Sequence, residues 1–188
     1  MTVEEVFKKL SHQMLSGIML HSDMVDYYRF ISLDGYAKCH EYRLMEESKE
    51  YRKLHKFYLN QYDKLIPEGE VSKGSEIPRE WYSHVRQDVD ESTIRSAVKD
   101  GLTKWITHEE ETMRVYSDMS KELREMGCVK SALYVEQLVC DVSKELKKAK
   151  KYQMRKHIMG YDVPSIVAEQ HEKHEKYKHK ICEVYKED

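Results

Sequence analysis

Apolar residues recur every three or four positions along four long stretches of this chain, which is the spacing of one face of an α-helix. The 188 residues include only seven glycines and three prolines, so few residues interrupt a helix. The sequence therefore predicts an all-α protein. The four long helices are predicted over about Val3–Ser32, Tyr36–Leu65, Ser92–Gly127 and Cys128–Met159, and a fifth, polar and His-rich helix runs from Ser165 to about Tyr185.

The breaks between these helices predict how the helices are connected. Leu33–Gly35 is a tight turn in which Gly35 is free to adopt a positive φ, and Gly127 is a typical helix end. The segment Pro67–Glu91 is the one long irregular stretch, and we expect Trp81 and Tyr82 to anchor it. Roughly 20 extended residues reach some 60–70 Å, more than a long helix spans. The pattern favours two helical hairpins joined by a crossover, over a simple antiparallel bundle.

Composition limits the expected partners and location. The net charge of -2 gives no reason to expect nucleic acid or an anionic membrane, although a lysine cluster near the end of the fourth helix leaves DNA binding as a minor alternative. No apolar stretch approaches the roughly 18 residues of a membrane span, and the charged residues of Met1–Leu10 do not form the apolar block expected of a signal peptide. Four cysteines without a paired motif read as reduced thiols. The expected location is the cytoplasm.

Three polar residues occupy positions at which the apolar stripes predict buried side chains. His21 interrupts the apolar stripe of the first helix, Glu47 that of the second and Glu109 that of the third. A charge inside a helical bundle costs several kcal/mol unless it is paired or binds a metal. The sequence therefore predicts that these residues are paired with one another or with neighbours, or that they ligate a metal ion.

The helical register tests which of these residues can meet. His21 and Glu47 are equally distant from Asp34, so an antiparallel hairpin brings them to the same height. Glu109 is twice as far from Gly127 as Glu136 is, which separates the two carboxylates by about 14 Å along the axis. The residues of the fourth helix level with Glu109 lie near Glu145, which falls beside the apolar stripe.

Several segments resemble the ferritin-like superfamily. The run Leu33–Lys38, followed by Glu46–Glu50 and His55, is similar to the start of the second helix in ferritins, and its glycine, aromatic residue and histidine also resemble Dps proteins. The stretch Ala97–Gly127, with Glu109, Thr112 and Tyr116, is similar to the third helix of the superfamily, and Glu136 with its following glutamine resembles a ferritin pair. The resemblance covers roughly residues 10–155. It implies a ferritin-like four-helix bundle over residues 1–160, with residues 161–188 as a polar, His-rich helix packed on it or projecting from it.

The resemblance also implies a di-iron centre, which in this superfamily uses a Glu from each of two helices and a Glu-x-x-His from each of the other two. The corresponding residues are His21, Glu47, Glu50, Glu109 and Glu136. Glu50 and Val139 stand where the family has histidine, and His21 stands where it has Glu. A Dps-type site between two subunits would need only the first two helices.

Two functions follow as expectations. The first is a homo-oligomeric metal-binding protein that oxidises or sequesters iron, or protects against oxidative stress, with manganese or zinc as the alternative metals and a ferroxidase-like activity. The second is a non-enzymatic oligomeric or partner-binding bundle that has lost the di-iron site. His171, His174 and His179 of the last helix are a solvated face or a weak zinc site. A helical phosphohydrolase is disfavoured because the chain has no His-Asp dipeptide.

Overall fold

The computed structural model describes residues 1–67 and 77–184, and within these ranges it contains helices and no strand. The prediction of an all-α fold with two helical hairpins, a long connection and a fifth helix is confirmed. The helices are α1 (Val3–Phe30), α2 (Asp34–Tyr62), α3 (Glu91–Glu125), α4 (Val129–Met159) and α5 (Val163–Val184), with 3₁₀ turns at Arg79–Ser83 and Arg86–Asp88 before α3.

Part of the predicted crossover lies outside the described residues, including Gly69 and Gly74, as does the predicted end of the last helix at Tyr185. The described part of the crossover is fastened by Trp81, which is buried and stacks on Tyr27 with ring centroids 4.0 Å apart. Tyr82 is largely exposed, and its hydroxyl donates a hydrogen bond to Asp23. The described part of the crossover therefore lies against α1.

The helix ends follow local hydrogen-bonding chemistry. At the start of α1, Thr2 and Glu5 form a reciprocal capping box. The third helix begins at Glu91, one residue before the predicted start at Ser92, because the carboxylate of Asp90 accepts a hydrogen bond from the amide of Thr93 at 2.7 Å and caps the helix. Gly127 has a φ of 74°, which ends the α3 segment as predicted.

Gly35 has a role that differs from the predicted one. In the connection between α1 and α2, the residue with a positive φ is Ser32, at 62°. Gly35 is already part of the first helical turn of α2. A methyl group on Gly35 would overlap the backbone of Gln170 in α5. Gly35 is therefore required for the close approach of α5 to α2, and α5 packs mainly on that helix.

The apolar core is divided along the bundle. One cluster is built around Phe7, Leu54 and Leu123, and a second around Met24 and Tyr28. Between these two clusters, polar side chains take the place of apolar ones on the inner face of α1. In this middle part of the bundle, charged groups from neighbouring helices face each other. Among the described residues, no helix is both long and apolar enough to cross a membrane. All four cysteines are free thiols.

Candidate metal centre

The three polar residues of the apolar stripes meet in the middle of the bundle. His21 of α1, Glu47 of α2 and Glu109 of α3 each present a potential ligand atom, and these atoms all lie within 4.8 Å of one another. His21 is fully buried and Glu109 is 5% exposed, whereas Glu47 is half-buried and lines a cavity. One nitrogen and two carboxylates from three helices thus converge on one point.

His21 is held as a neutral imidazole. Its Nδ1 lies 2.9 Å from Nδ1 of His40, so one of these two nitrogens donates and the other accepts. Burial, with a smaller contribution from the Arg43 guanidinium, lowers the pKa of His21 to about 3. A neutral imidazole is the form that ligates a metal, because the ligand nitrogen must carry a free lone pair.

The two carboxylates favour an added cation. Burial raises the pKa of Glu47 to about 7, and it raises the pKa of Glu109 to about 7 with a further contribution from the neighbouring Glu47. The indole nitrogen of Trp105 donates a hydrogen bond to Glu109 at 2.9 Å. At neutral pH each of the two carboxyl groups is therefore partly protonated, and a metal ion can take the place of the proton.

Several buried polar atoms of this cluster lack hydrogen-bond partners among the described residues: Nε2 of His21, Oε2 of Glu47 and Nε of Arg43. His21 Nε2 lies 3.2 Å from Oε1 of Glu47, but the two do not form a hydrogen bond. An unpaired buried polar atom is costly and requires an explanation. A metal ion bound between His21 and Glu47 would satisfy both atoms, so the residues present fit such an ion.

The space at the cluster depends on Gly17. A methyl group on Gly17 would overlap the Glu47 carboxylate and would lie 2.7 Å from Nε2 of His108. His108 is buried, and burial lowers its pKa to about 4. The glycine thus leaves room on α1 for side chains that arrive from α2 and α3, next to a cavity of about 270 Å³ between the helices.

A buried cation also faces this cavity. The guanidinium of Arg43 is 6% exposed, forms an ion pair with Glu145 of α4 and lies over the Trp105 ring at 5.9 Å. Burial opposes its charge, but Glu145, Glu109 and Glu47 outweigh that effect and raise the pKa of Arg43. α4 therefore contributes to the centre through Glu145, at the height that the helical register indicates.

The remaining predicted ligands lie in different places. Glu50 lines the same cavity, and burial raises its pKa to about 7 with a contribution from Glu47. Glu136 is not brought to the cluster: its carboxylate pairs with Arg124 at 2.6 and 2.8 Å on the surface and accepts a hydrogen bond from Ser120. The histidines of α5 form no metal-ligand cluster within the described ranges.

Sequence reasoning missed the roles of His40, Arg43, His108 and Glu145. A signal was present for the first two, because His40, Arg43, Glu47 and Glu50 follow each other at spacings of three and four and so share one face of α2. The helical register places Glu145 level with Glu109, but its spacing does not indicate that it pairs with Arg43. That ion pair becomes visible only when α4 is packed beside α2.

Known proteins resemble this chain in structure rather than in sequence. No protein-family model matches the sequence, and no curated protein matches it at a significant level. The chain is similar to an open-pore ferritin from the hyperthermophilic archaeon Archaeoglobus fulgidus, with a TM-score of 0.74, 15% identity, and 90% of this chain and 93% of that chain covered.

Two related structures match in the same way. A closed form engineered from the Archaeoglobus fulgidus ferritin gives a TM-score of 0.73 at 15% identity, with 93% of this chain and 97% of that chain covered. A humanized archaeal ferritin gives 0.71 at 12% identity, with 93% and 96% covered. At this identity the match speaks for the backbone arrangement alone. The chain therefore has a ferritin-like fold and belongs with the ferritin-like helical bundles in architecture.

Proposed function

We propose that this protein binds a transition-metal ion in the middle of the bundle, with His21, Glu47 and Glu109 as ligands. The observation that carries the proposal is the convergence of three ligand atoms within 4.8 Å, two of which belong to side chains with unpaired buried atoms. The backbone arrangement shared with structures described as ferritins supports it independently.

Iron is the metal that we propose, and its oxidation or sequestration is the function. Carboxylate and imidazole ligands suit first-row transition metals, and geometry rather than affinity decides among them, so manganese and zinc are the competing ions. The two carboxylates can stabilise both the ferrous and the ferric state, while the buried surroundings restrict access of water. Protection against oxidative stress would follow from removal of ferrous iron.

Anaerobic addition of Fe(II) followed by air tests this function. We expect a ferric absorption band and bound iron by elemental analysis in the unmodified protein. Both should be lost when Glu47 and Glu109 are replaced by glutamine. Glu136→Gln is the matched control, because Glu136 pairs with Arg124 on the surface and is expected to leave iron binding intact.

Unchanged spectra and the absence of bound metal after this treatment would contradict the proposal. Equal iron content in the Glu47→Gln/Glu109→Gln protein and in the unmodified one would locate the iron elsewhere and would contradict the assignment of these ligands.

A bundle without a metal is the second candidate function, and Arg43 favours it. The guanidinium already supplies a buried positive charge to Glu145, Glu109 and Glu47. In this case the protein acts as an oligomeric or partner-binding module. It predicts that Glu47→Gln/Glu109→Gln stabilises the protein while its metal content stays at background, whereas stabilisation of the unmodified protein by added iron would contradict it.

We also propose that the protein is a homo-oligomer. Large apolar side chains are exposed on α4, among them Leu133, Met154 and Ile158, and a second subunit would cover them. Light scattering after size-exclusion chromatography should give a mass of at least two chains. A single-chain mass at micromolar concentration would contradict this. A cytoplasmic location remains a prediction from the unpaired cysteines.

A further inference from the structure

Arg43 is an unusual neighbour for a metal site, because its cation lies among the carboxylates that would bind metal. The residue follows His40 and precedes Glu47 on the inner face of α2. Its guanidinium is buried, forms an ion pair with Glu145 across the cavity and leaves Nε without a partner among the described residues. The same cavity is lined by Glu47, Glu50 and Glu109.

The charge of Arg43 is permanent in this setting. An arginine is protonated at every physiological pH, and the surrounding carboxylates strengthen that tendency. A metal ion that approached the Glu145 side of the cavity would have to displace the guanidinium from its ion pair. It would also be repelled by the positive charge at close range, where the low polarity of the bundle screens little.

The charges balance for a single divalent ion. Arg43 and Glu145 neutralise each other as an ion pair. A histidine that ligates a metal ion is neutral, and Glu47 and Glu109 as ligands together supply two negative charges. One divalent ion at His21, Glu47 and Glu109 therefore leaves these five side chains without net charge. Glu46, Glu50 and the Asp141–Lys144 pair also line the cavity, so the position of the guanidinium on Glu145, rather than the total charge, would exclude a second ion.

We propose that the Arg43 guanidinium takes the place of a second metal ion, so that the centre holds one ion per chain and is mononuclear. The inference rests on the proposed function, since it presupposes that His21, Glu47 and Glu109 bind a metal. It departs from the two-metal centre that the sequence resemblance implies, and it assigns Arg43 as a residue that determines the stoichiometry.

Manganese binding measures this stoichiometry without any catalytic assay. The chelator-treated protein is titrated with Mn(II), the bound metal per chain is determined by elemental analysis after gel filtration, and the electron paramagnetic resonance spectrum is recorded. The unmodified protein should bind about one ion per chain and give the spectrum of an isolated Mn(II) ion.

The variants separate charge from shape. Arg43→Gln removes the charge but can still donate a hydrogen bond to Glu145, and it should bind about two ions per chain with a spin-coupled spectrum. Arg43→Lys retains the charge and should stay at about one. Arg124→Gln removes an arginine from the surface pair with Glu136 and should also stay at about one. Circular dichroism establishes that each variant is folded.

The outcomes distinguish this inference from the function on which it rests. About two ions per chain with a spin-coupled spectrum in the unmodified protein would overturn the inference while the metal-binding function stands. No bound ion in the unmodified protein would overturn both. One ion in both the unmodified protein and the folded Arg43→Gln variant would show that Arg43 does not determine the stoichiometry. The measurement on the unmodified protein decides even if Arg43→Gln does not fold.

Discussion

Two clusters of buried charge lie between the helices of this protein, and they differ in how completely their charged groups are paired. Where α5 docks, Glu169 pairs with Lys156 and with Lys173 at 3.4 Å, and it accepts a hydrogen bond from the Tyr36 hydroxyl at 2.9 Å. In the middle of the bundle, by contrast, Glu47 retains a buried oxygen with no partner among the described residues. We call the cluster around Glu169 the closed cluster, because both of its carboxylate oxygens have partners, and the cluster around Glu47 the open cluster.

The pKa of a buried glutamate is shifted in opposite directions in the two clusters. Burial raises the pKa of Glu169, but Lys173 and Lys156 outweigh it and lower that pKa below the ordinary value. Burial raises the pKa of Glu109, and the Glu47 carboxylate adds to the rise. A carboxylate that is paired with buried cations stabilises the contact between two helices. A buried carboxylate without such partners is stabilised by binding a proton or a metal ion. The difference between structural and functional buried charge is thus a difference in pairing.

The largest expected effect is at the closed cluster. Glu169→Gln leaves two buried lysines without their anion, and loss of one partner from a buried ion pair costs about 3–5 kcal/mol in the free energy of unfolding. Urea unfolding measures the loss. Glu172→Gln is the control on the same helix, because Glu172 is exposed and lies 3.9 Å from Arg155. An equal, small effect of both substitutions would show that Glu169 does not fasten α5.

The open cluster should respond with the opposite sign. Glu109→Gln removes a charge that Arg43 compensates only in part in the metal-free protein. The glutamine oxygen can still accept the hydrogen bond of Trp105. With its pKa raised to about 7, the carboxylate at pH 8 lowers stability by about 2–3 kcal/mol, so the variant should be more stable by about that amount without metal. A loss of stability in urea unfolding would place Glu109 in a closed cluster instead.

The pH dependence of the metal-free protein has two opposing sources in this cluster. Burial raises the pKa of Glu109 to about 7, so this group favours the folded state less as the pH rises from about 4.5 to 7. Burial lowers the pKa values of His21 and His108, and these histidines favour the folded state more as the pH rises over part of the same window. The contribution of Glu109 is therefore a difference: the free energy of unfolding of the unmodified protein minus that of Glu109→Gln should fall by about 2–3 kcal/mol from pH 4.5 to 7. Urea unfolding of both proteins at several pH values measures this difference, and a rise with pH would contradict the raised pKa of Glu109.

Two glycines in close contact with another helix, Gly35 and Gly17, provide a smaller test of the difference between the closed and the open cluster. At Gly35 an added methyl group meets the backbone of Gln170, which cannot move without shifting α5, so Gly35→Ala should cost about 1 kcal/mol of stability. At Gly17 it meets the ends of Glu47 and His108, which can rotate away. Gly17→Ala should therefore preserve stability in urea unfolding but weaken Mn(II) binding about tenfold. Unchanged metal affinity in that variant would separate Gly17 from the site.

The sequence predicted the part of this arrangement that depends on helical periodicity. The pairing of His21 with Glu47 follows from their equal distance from the α1–α2 turn, and the same reasoning placed Glu145 rather than Glu136 at the height of Glu109. Helix register along one hairpin is a local property, so the spacing of residues determines it.

Arg43 and the docking of α5 could not be predicted in this way. A long arginine side chain usually reaches solvent, and only packing against α4 turns it towards Glu145. Gly35 was assigned to a turn because glycine most often serves there, but its role depends on a helix more than a hundred residues away in the chain. Contacts between distant segments leave no periodic signal in a single sequence.

The stability of the chelator-treated protein with and without anaerobic Fe(II) tests the central claim that the middle of the bundle is an open metal site. At Fe(II) about 100-fold above the dissociation constant, binding should stabilise the folded state by about 2.7 kcal/mol and raise the melting temperature by roughly 5–10 °C. The Glu47→Gln/Glu109→Gln variant should show no rise. No rise in the unmodified protein, or an equal rise in both proteins, would contradict the account.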